Sequence, residues 1–171
     1  MSTVTQMRTA VSTRTKTAVH LTDIITGAFS AIIATLGLSR NYLDKYWDVI
    51  ERGLMTWIDE GSLKDVCLEF GDPDNPEAIF EIPVEYRFTG VGNVDFVASR
   101  ARLLRLMAKI EKVPAETSYR VVVTHHGSYT TVSGWSSTNS ANRSGLSSYN
   151  LGSLGAGPDA RASMNYLTRR S

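Results

Sequence analysis

The stretch Leu54–Tyr86, LMTWIDEGSLKDVCLEFGDPDNPEAIFEIPVEY, changes its hydrophobic period within a few residues. Up to Gly61 the apolar residues recur at helical spacing, and the glycine is a typical helix end. From Lys64 to Phe70, and again from Phe80 to Phe88, apolar and polar residues alternate with the period of a half-buried strand. The turn-forming residues of Gly71–Glu77 separate the two runs. We therefore predict a helix followed by a β-hairpin.

Two helices are predicted before the hairpin. Residues 18–36 carry apolar side chains on almost every side, which is typical of a buried helix, and Gly37 ends it. Asn41 is a candidate cap for the second helix, and Asp44 in its first turn suits the helix dipole. One face of the second helix is apolar, and it consists of Leu43, Trp47, Ile50, Leu54, Trp57 and Ile58.

After the hairpin we predict a third helix over Asp95–Glu111 and a third strand over Ser118–Thr124. Pro83 lacks a ladder donor, so its strand should have a bulge or lie at an edge there. The element order α-α-β-β-α-β predicts an α+β domain, with three helices packed on one face of a small antiparallel sheet.

Composition excludes several classes of protein. The chain has 171 residues, with 18 basic and 17 acidic side chains, so the balance argues against a bulk nucleic-acid binder. Its single cysteine, Cys67, excludes an internal disulfide framework and suits a reducing cytoplasm. The most apolar window, Gly27–Leu38, is shorter than the roughly 20 residues of a membrane span. These features predict a soluble cytoplasmic protein.

The two ends of the chain differ from its middle. Residues 1–17 are rich in Thr and Ser, contain Arg8, Arg14 and Lys16 but no acid, and show no period, which predicts a flexible cationic tail. Ser, Thr, Gly and Asn dominate Gly134–Gly157. Apolar anchors nevertheless recur in the C-terminal part, at Val132, Trp135, Leu146, Tyr149, Leu151, Leu154, Met164, Tyr166 and Leu167. That pattern predicts a strap that docks on the body of the domain, and a disordered tail is the alternative.

No catalytic or metal-binding pattern emerges. His125 and His126 are adjacent, so a strand would point them to opposite faces, and no second close pair of Cys or His accompanies Cys67. Nucleophile-elbow and phosphate-loop motifs are absent from the Ser- and Gly-rich region. Glu81 and Glu85 share the outer face of a strand, where carboxylates are usually solvated. We predict that the protein is not an enzyme and has neither a cofactor nor a metal.

The whole chain from about residue 17 resembles the bacterial HORMA-domain proteins associated with CD-NTase enzymes in antiphage signalling (CBASS). Successive stretches carry the resemblance, in the order TAVHLTDIITGAF, GLSRNYLDKYWDVIERGLMTWIDEGSLKDVCLEF, AIFEIPVEYRF, SYRVVV, SGWSS, NLGSLG and NYLTRR. It implies a HORMA core over residues 18–127 and a C-terminal safety belt over residues 128–171 within the same domain.

The resemblance also implies a mechanism. A closure-motif peptide would add as a strand and be held under the belt. The peptide-binding residues would be Tyr119, Val121, Val123, Val132, Trp135, Leu146, Tyr149, Leu151 and Leu154. The closed complex would bind and activate a CD-NTase, and an AAA+ ATPase would reset it by engaging the N-terminus at Arg8, Arg14 and Lys16. No membrane or direct nucleic-acid partner is expected.

Two other readings remain open on the sequence. The chain could be an assembly protein whose C-terminal tail orders on oligomerisation. It could also be a small hydrolase using Ser136 or Ser147, which would require a His–carboxylate pair close to one of these serines.

Overall fold

The computed structural model describes residues 2–86 and 96–169, with side chains from Thr13 onward. It contains three helices and a six-stranded sheet in which every strand pair is antiparallel. The helices are α1 (Ser2–Leu36), α2 (Asn41–Glu60) and α3 (Arg100–Lys109). The strands are β1 (Leu63–Asp72), β2 (Asn75–Tyr86), β3 (Val97–Ala98), β4 (Tyr119–His125), β5 (Ser147–Ala156) and β6 (Ala160–Thr168), in the sheet order β3-β5-β6-β2-β1-β4. The predicted α+β class is confirmed.

Helix α1 begins far earlier than the sequence predicts. It starts at Ser2, so the segment predicted as an unstructured tail is helical over 2–17. Once a helix is nucleated, each added residue costs little, and the polar side chains of the last predicted tail residues find partners. The Arg14 guanidinium donates to Asp59 O (2.6 Å), and the Thr17 hydroxyl donates to the Asp159 carboxylate (3.2 Å).

Helix α2 has the predicted extent but a different cap. Asn41 is its first helical residue, and the Ser39 hydroxyl accepts the Asn41 N–H (3.1 Å). Gly61 ends the helix in the left-handed region at φ 78°, as the sequence predicts. The buried side of α2 includes Leu43, Ile50, Gly53, Leu54, Trp57 and Ile58.

The β1–β2 hairpin is tighter than predicted, because Asp72 pairs with Asn75 and the strands extend into the turn. Strand β2 lies between β1 and β6, so the expectation that Pro83 marks an edge is wrong. Pairing of β2 with β6 skips Ile82 and Pro83 and resumes in the same register at Val84. The missing proline donor is therefore accommodated by a local gap in one ladder.

The C-terminal hairpin β5–β6 was not predicted. Two register shifts in its pairing, at Asn150/Gly152 and Ser153/Gly155, break the alternation that would reveal β5. Strand β6 does alternate, but small alanines occupy several of its buried positions and hide the period. Part of the predicted strap is thus a pair of sheet strands.

The remaining boundaries shift modestly. Helix α3 begins at Arg100. The predicted start at Asp95 lies outside the described residues, as do Arg87 and Phe88, but the helix predicted over Val97 and Ala98 is wrong, because these residues pair with β5 as strand β3. Strand β4 begins and ends one residue after the predicted third strand.

The core lies between the helices and one face of the sheet. Leu21, Ile25, Phe29 and Ile32 of α1 are fully buried there with the inner face of β1 and β2. By length and composition Thr13–Leu36 could cross a membrane, with mean hydropathy 1.6, yet half of it is buried within the domain. We therefore interpret α1 as the central core helix.

Candidate functional site: a channel beside the outer strand

Strand β4 ends the sheet and presents unused main-chain groups. Gly71 N–H donates to Ser118 O (2.8 Å), so these two residues form a hydrogen-bonded pair in the register of the β1–β4 ladder. Hydrogen-bonded and non-bonded pairs alternate along an antiparallel ladder. The N–H and C=O groups of Tyr119, Val121 and Val123 therefore point away from β1. Consistent with this, Val121 N–H donates to the Tyr42 hydroxyl (3.3 Å).

Residues 126–146, which we call the belt segment, pass around this edge. They leave β4 on the helix side of the sheet, cross outside β4, and reach the opposite face before β5 begins on the far side of β2. Among the described residues, no main-chain hydrogen bond joins the belt segment to β4. The segment therefore encloses the edge without pairing with it.

The first attachment of the belt segment is to the end of α2. Glu60 accepts the Thr130 N–H (2.9 Å) and the Thr130 hydroxyl (2.6 Å), while Thr130 O accepts the Trp57 indole N–H (2.7 Å). Burial would raise the pKa of Glu60, but hydrogen bonds from Thr130 and Ser62 outweigh it and hold the pKa below its usual value. The ionised carboxylate thus stabilises the start of the segment.

Trp135 makes the second attachment. Its indole N–H donates to Val49 O (2.9 Å), and its ring meets Trp57 edge-on at 5.0 Å between centroids. A Cβ at Gly53 would lie 2.6 Å from the Trp135 nitrogen, so this glycine makes the room for the indole. At Gly134 the backbone turns at φ 96° next to Val49. Trp135 is therefore seated directly on α2.

A buried carboxylate holds the segment as it crosses the edge. Glu69 is 2% exposed; it accepts Arg120 Nε (2.8 Å) with one oxygen and Ala141 N–H (3.1 Å) with the other. Arg120 in turn donates to the Thr138 hydroxyl (3.0 Å) and to Asn139 O (2.8 Å). One ion pair between β1 and β4 thereby fixes three belt residues. Charge-assisted bonds of this kind are among the stronger hydrogen bonds in proteins.

The last attachment covers Cys67 on the outer face of the sheet. Ala141 packs with Cys67, Ile79 and Leu167, and Leu146 lies against this cluster. Arg143 bonds Glu81 and approaches Cys67 Sγ (3.5 Å). Burial, together with the neighbouring Asp65 carboxylate, raises the pKa of the Cys67 thiol. The thiol is therefore unreactive while the belt segment lies over it.

Between β4 and the belt segment lie two adjoining cavities of about 350 and 300 Å³, which together we call the edge channel. The shared wall consists of Val121, Val122, Trp135, Ser136 and Thr138. Towards the start of β4 the lining adds Tyr42, Tyr46, Val49, Ile50, Arg120 and Gly134. Towards its end the lining adds Trp57, Val123, His125, Tyr129, Thr131, Val132 and Ser137. The outward main-chain groups of Val121 and Val123 thus face a partly open space between β4 and the belt segment.

His125 borders the channel at the end of β4. Its ring stacks on Tyr129 at 3.6 Å and meets Trp57 edge-on at 4.4 Å. Burial lowers its pKa, and the Glu60 carboxylate partly offsets that effect. Among the described residues its buried Nε2 has no hydrogen-bond partner. Neutral His125 is consequently the form that suits this packing.

The structure brings together some of the predicted peptide-binding residues. Val121, Val123, Val132 and Trp135 line the edge channel, and Tyr119 adjoins it through its ring contact with Tyr42. Leu146 lies on the opposite face of the sheet, with Cys67. Tyr149, Leu151 and Leu154 belong to β5, which three strands separate from β4. These last four residues do not line the channel, because the chain after residue 146 joins the sheet.

The predicted N-terminal cations lie along α1. Arg14 is bonded to Asp59 O, and Lys16 is exposed. Arg8 lies in the same helix, but its side chain is outside the described residues. These cations are far in sequence from the channel, yet α1 packs directly against α2, which supports the belt segment.

Sequence reasoning missed Glu69, Arg120, Glu60 and Tyr42. Glu69 occupies a position where the alternating pattern of β1 expects a polar residue, so the sequence does not single it out. Only its contacts with Arg120 and Ala141 reveal its role. A carboxylate and an arginine on neighbouring strands would have been the detectable signal, had the pairing register been known.

Within the described residues, neither the serine hydrolase site nor the metal site considered above is formed. Ser136 and His125 share a cavity, but the buried His125 Nε2 bonds no hydroxyl, and Ser147 pairs with Thr168 in the sheet. Asp65, Cys67 and Glu81 place three ligand-type atoms within 4.8 Å of one another, but the Arg143 guanidinium lies on two of these groups. Within the described part of the chain the channel is thus better suited to binding than to catalysis.

Comparison with solved structures supports the fold. A chain of the Mitotic Checkpoint Complex is 9% identical, with a TM-score of 0.74, covering 92% of this chain and 97% of that one. C. elegans HTP-2 bound to the HIM-3 closure motif is 15% identical, with a TM-score of 0.66 and coverages of 88% and 89%. A chain of the E. coli MS115-1 CdnC:HORMA-deltaN complex is 12% identical, with a TM-score of 0.61 and coverages of 92% and 90%. At such identities the likeness shows a shared fold.

Among curated protein sequences, none is significantly similar to this chain. The family described as Bacterial HORMA domain 2, in contrast, matches residues 4–170, which is nearly the whole sequence. The resemblance seen in the sequence is confirmed, and the chain belongs to the bacterial HORMA domain family.

Proposed function

We propose that this protein captures an extended closure-motif peptide in the edge channel and holds it under the belt segment. The observation that carries the proposal is the outer edge of β4, where Val121 and Val123 direct main-chain groups into the cleft between β4 and the belt segment, which does not pair with them. HTP-2 bound to the HIM-3 closure motif, a structure of the same fold, adds support.

Strand addition would use these groups directly. A peptide lying about 4.8 Å from β4 would pair with them, and main-chain bonds would supply affinity while side-chain cavities supply selectivity. The Tyr42 hydroxyl accepts one such donor, Val121 N–H (3.3 Å). A bound peptide would replace that hydroxyl with a carbonyl.

Encirclement would make release slow. A peptide between β4 and the belt segment can leave sideways only when the attachments at Thr130, Trp135 and Ala141 break. Each attachment includes at least one hydrogen bond from a buried or partly buried group, and opening must break several of them together. The dissociation rate is then governed by opening of the belt segment.

The test uses a pool of random peptides about nine residues long, enough to cover the seven residues of β4. The protein is incubated with the pool, separated by size exclusion, and its retained peptides are identified by mass spectrometry. Wild type should retain a subset. Trp135→Ala should retain at least about tenfold less, because losing about 1.4 kcal/mol of belt attachment has that effect.

The matched control is Trp47→Ala, since Trp47 is a half-buried tryptophan of α2 that does not line the channel. It should retain peptide as wild type does. Retention of no peptide by the wild-type protein, or equal retention by both variants, would contradict the proposed capture.

We also propose that the closed form binds and activates a CD-NTase in the bacterial cytoplasm, in antiphage defence. The fold shared with the CdnC:HORMA-deltaN complex motivates this part. The test mixes the protein with CdnC, the enzyme of the complex that shares its fold, and measures nucleotide product. Product should rise when captured peptide is present, and equal synthesis with and without peptide would contradict it.

Reset is assigned to an AAA+ ATPase that pulls α1 from its N-terminus. Extraction of α1 would expose Leu21, Ile25 and Phe29 of the core and remove the support of α2. The attachments of Thr130 and Trp135 depend on α2, so the belt segment would open. Arg8, Arg14 and Lys16 are the cations that such an ATPase would meet in this part of the helix.

A further inference from the structure

The two cavities of the edge channel are arranged in sequence along β4. One borders Arg120, Val121 and Val122, and the other borders Val121, Val122, Val123 and His125. Arg120 borders only the first cavity, and Val123 and His125 border only the second, so the second lies about two strand residues further along β4. Trp135, bonded to Val49 and packed at Gly53, stands in the wall that both share.

The helix-side lining of both cavities is aromatic and aliphatic. Tyr42, Tyr46, Val49 and Ile50 of α2 line the first, and Trp57, Tyr129 and Val132 line the second. Neither cavity is lined by a carboxylate among the described residues. A buried ammonium or guanidinium group would have no acidic partner there, and an unpaired buried charge is costly.

The opposite wall has a different character. It is formed by Ser136, Ser137 and Thr138, all exposed, and by two residues of β4, Val122 and Arg120, of which Arg120 remains paired with Glu69. Successive side chains of a strand point to opposite faces. A peptide strand beside β4 would therefore present alternate residues to the apolar cavities and to this hydroxyl-lined wall.

We propose that the captured peptide carries two apolar side chains two positions apart, with a polar or small residue between them. The apolar pair fills the two cavities on either side of Trp135, and the intervening residue meets Ser136, Ser137 and Thr138. This specificity rests on the proposed capture of a peptide. It defines the class of ligand as an apolar–polar–apolar extended segment.

Retained peptides from the random pool are sequenced and aligned. Valine, isoleucine, leucine, methionine or phenylalanine should be enriched about tenfold at two positions separated by one residue, as the burial of one such side chain warrants. Enrichment at adjacent positions, or of lysine and arginine at either position, would overturn the inference while leaving capture intact. Absence of any retained peptide would overturn both.

Two variants assign the positions to the cavities. Tyr46→Lys places a cation in the first cavity only, and Thr131→Lys places one in the second only, because each residue lines a single cavity. Each variant should shift selection to aspartate or glutamate at one of the two positions and leave the other apolar. Thermal melting verifies that both variants are folded. A shift at the same position in both, or at neither, would contradict the two-cavity assignment.

Discussion

At the level of single residues, two tryptophans that contact each other have different structural roles. Trp57 is 1% exposed and belongs to the main core, whereas Trp135 is half-buried and joins the belt segment to α2. Trp57→Ala should lower the free energy of unfolding by about 3–5 kcal/mol, the usual cost of a large buried truncation. Trp135→Ala should cost clearly less, because its ring is only partly buried.

Denaturant titration of both variants checks this ranking, with Trp47→Ala as the reference for a half-buried tryptophan of α2. If Trp135→Ala destabilised the protein as much as Trp57→Ala does, Trp135 would be a core residue, and its role as a belt attachment would be lost.

His125, at the end of the edge channel, makes the stability of the protein depend on pH. Its folded-state pKa lies below the unfolded value of about 6.5, so protonation favours the unfolded chain. Stability contributed by neutral His125 is present above about pH 6.5 and declines as the pH falls below that value. The stability that ionised Glu60 contributes to the protein is also lost on acidification, but at lower pH, below its unfolded pKa of about 4.5.

The measurement compares the melting temperature of wild type and His125→Phe at pH 7.5 and pH 5.5. Phenylalanine keeps a ring against Tyr129 and Trp57 but cannot be protonated. The wild-type protein should lose more stability between these two conditions than the variant. A variant that lost as much would show that His125 does not titrate in this range.

At the scale of the elements, the belt segment is held to the sheet by one buried carboxylate. Glu69→Gln keeps the shape of the side chain but removes the charge that pairs with Arg120 and accepts Ala141 N–H. Hydrogen bonds to charged groups contribute about 1.5–3 kcal/mol, so opening of the segment should become at least about tenfold more frequent.

Cys67 reports this opening, since it is the sole cysteine and lies beneath Ala141 and Arg143. Its alkylation rate should rise about tenfold in Glu69→Gln, in proportion to the more frequent opening. Glu85→Gln is the matched control, because Glu85 pairs with Arg161 at the surface, where such pairs contribute little. Equal alkylation of wild type and Glu69→Gln would show that the Glu69 contacts do not hold the segment.

The sequence predicts some elements well and others poorly, for physical reasons. Helix α2 and strands β1, β2 and β4 have strong periodicity and are all found. The extents of α2, β1 and β4 are close to those predicted, whereas β2 begins at Asn75, inside the predicted turn. Strand β5 breaks its period at two irregular pairings, and the first turns of α1 consist of residues with weak helix propensity. For β5, pairing with β6 stabilises a segment whose local sequence does not specify a strand.

The residues of the edge channel likewise differ in whether the sequence reveals them. Trp135 was identifiable because an aromatic residue in a polar, glycine-rich segment requires a place to dock. Glu69 and Arg120 were not, since their interaction depends on the register between β1 and β4. Tyr149, Leu151 and Leu154 lie far from the edge channel because of the order of strands in the sheet, and a single sequence does not predict that order.

For the whole molecule, α1 couples the N-terminus to the core. Deleting residues 2–12 removes helical turns that precede Thr13 but keeps the Arg14 contact with Asp59 and all of the buried α1 residues. The truncated protein should therefore fold and retain peptide as wild type does. Arg14 and Lys16 remain, but the first helical turns, with Arg8, by which an ATPase would begin to pull are gone, so the truncated protein should resist ATP-driven release.

Release is followed as loss of a labelled, captured peptide after addition of a candidate AAA+ ATPase and ATP. Wild type with ATP should lose peptide quickly, and wild type without ATP should not. Equally fast release from the truncated protein would show that the N-terminal turns of α1 are not the point of engagement.

The most direct test of the account is residue-resolved amide exchange along β4, measured by NMR with and without captured peptide. Strand addition should slow exchange at Val121 and Val123, whose N–H groups face the channel, and leave Arg120 and Val122, already bonded to β1, nearly unchanged. This alternation is the predicted result. Unchanged exchange at Val121 and Val123, or equal slowing at all four residues, would contradict capture of the peptide as an added strand.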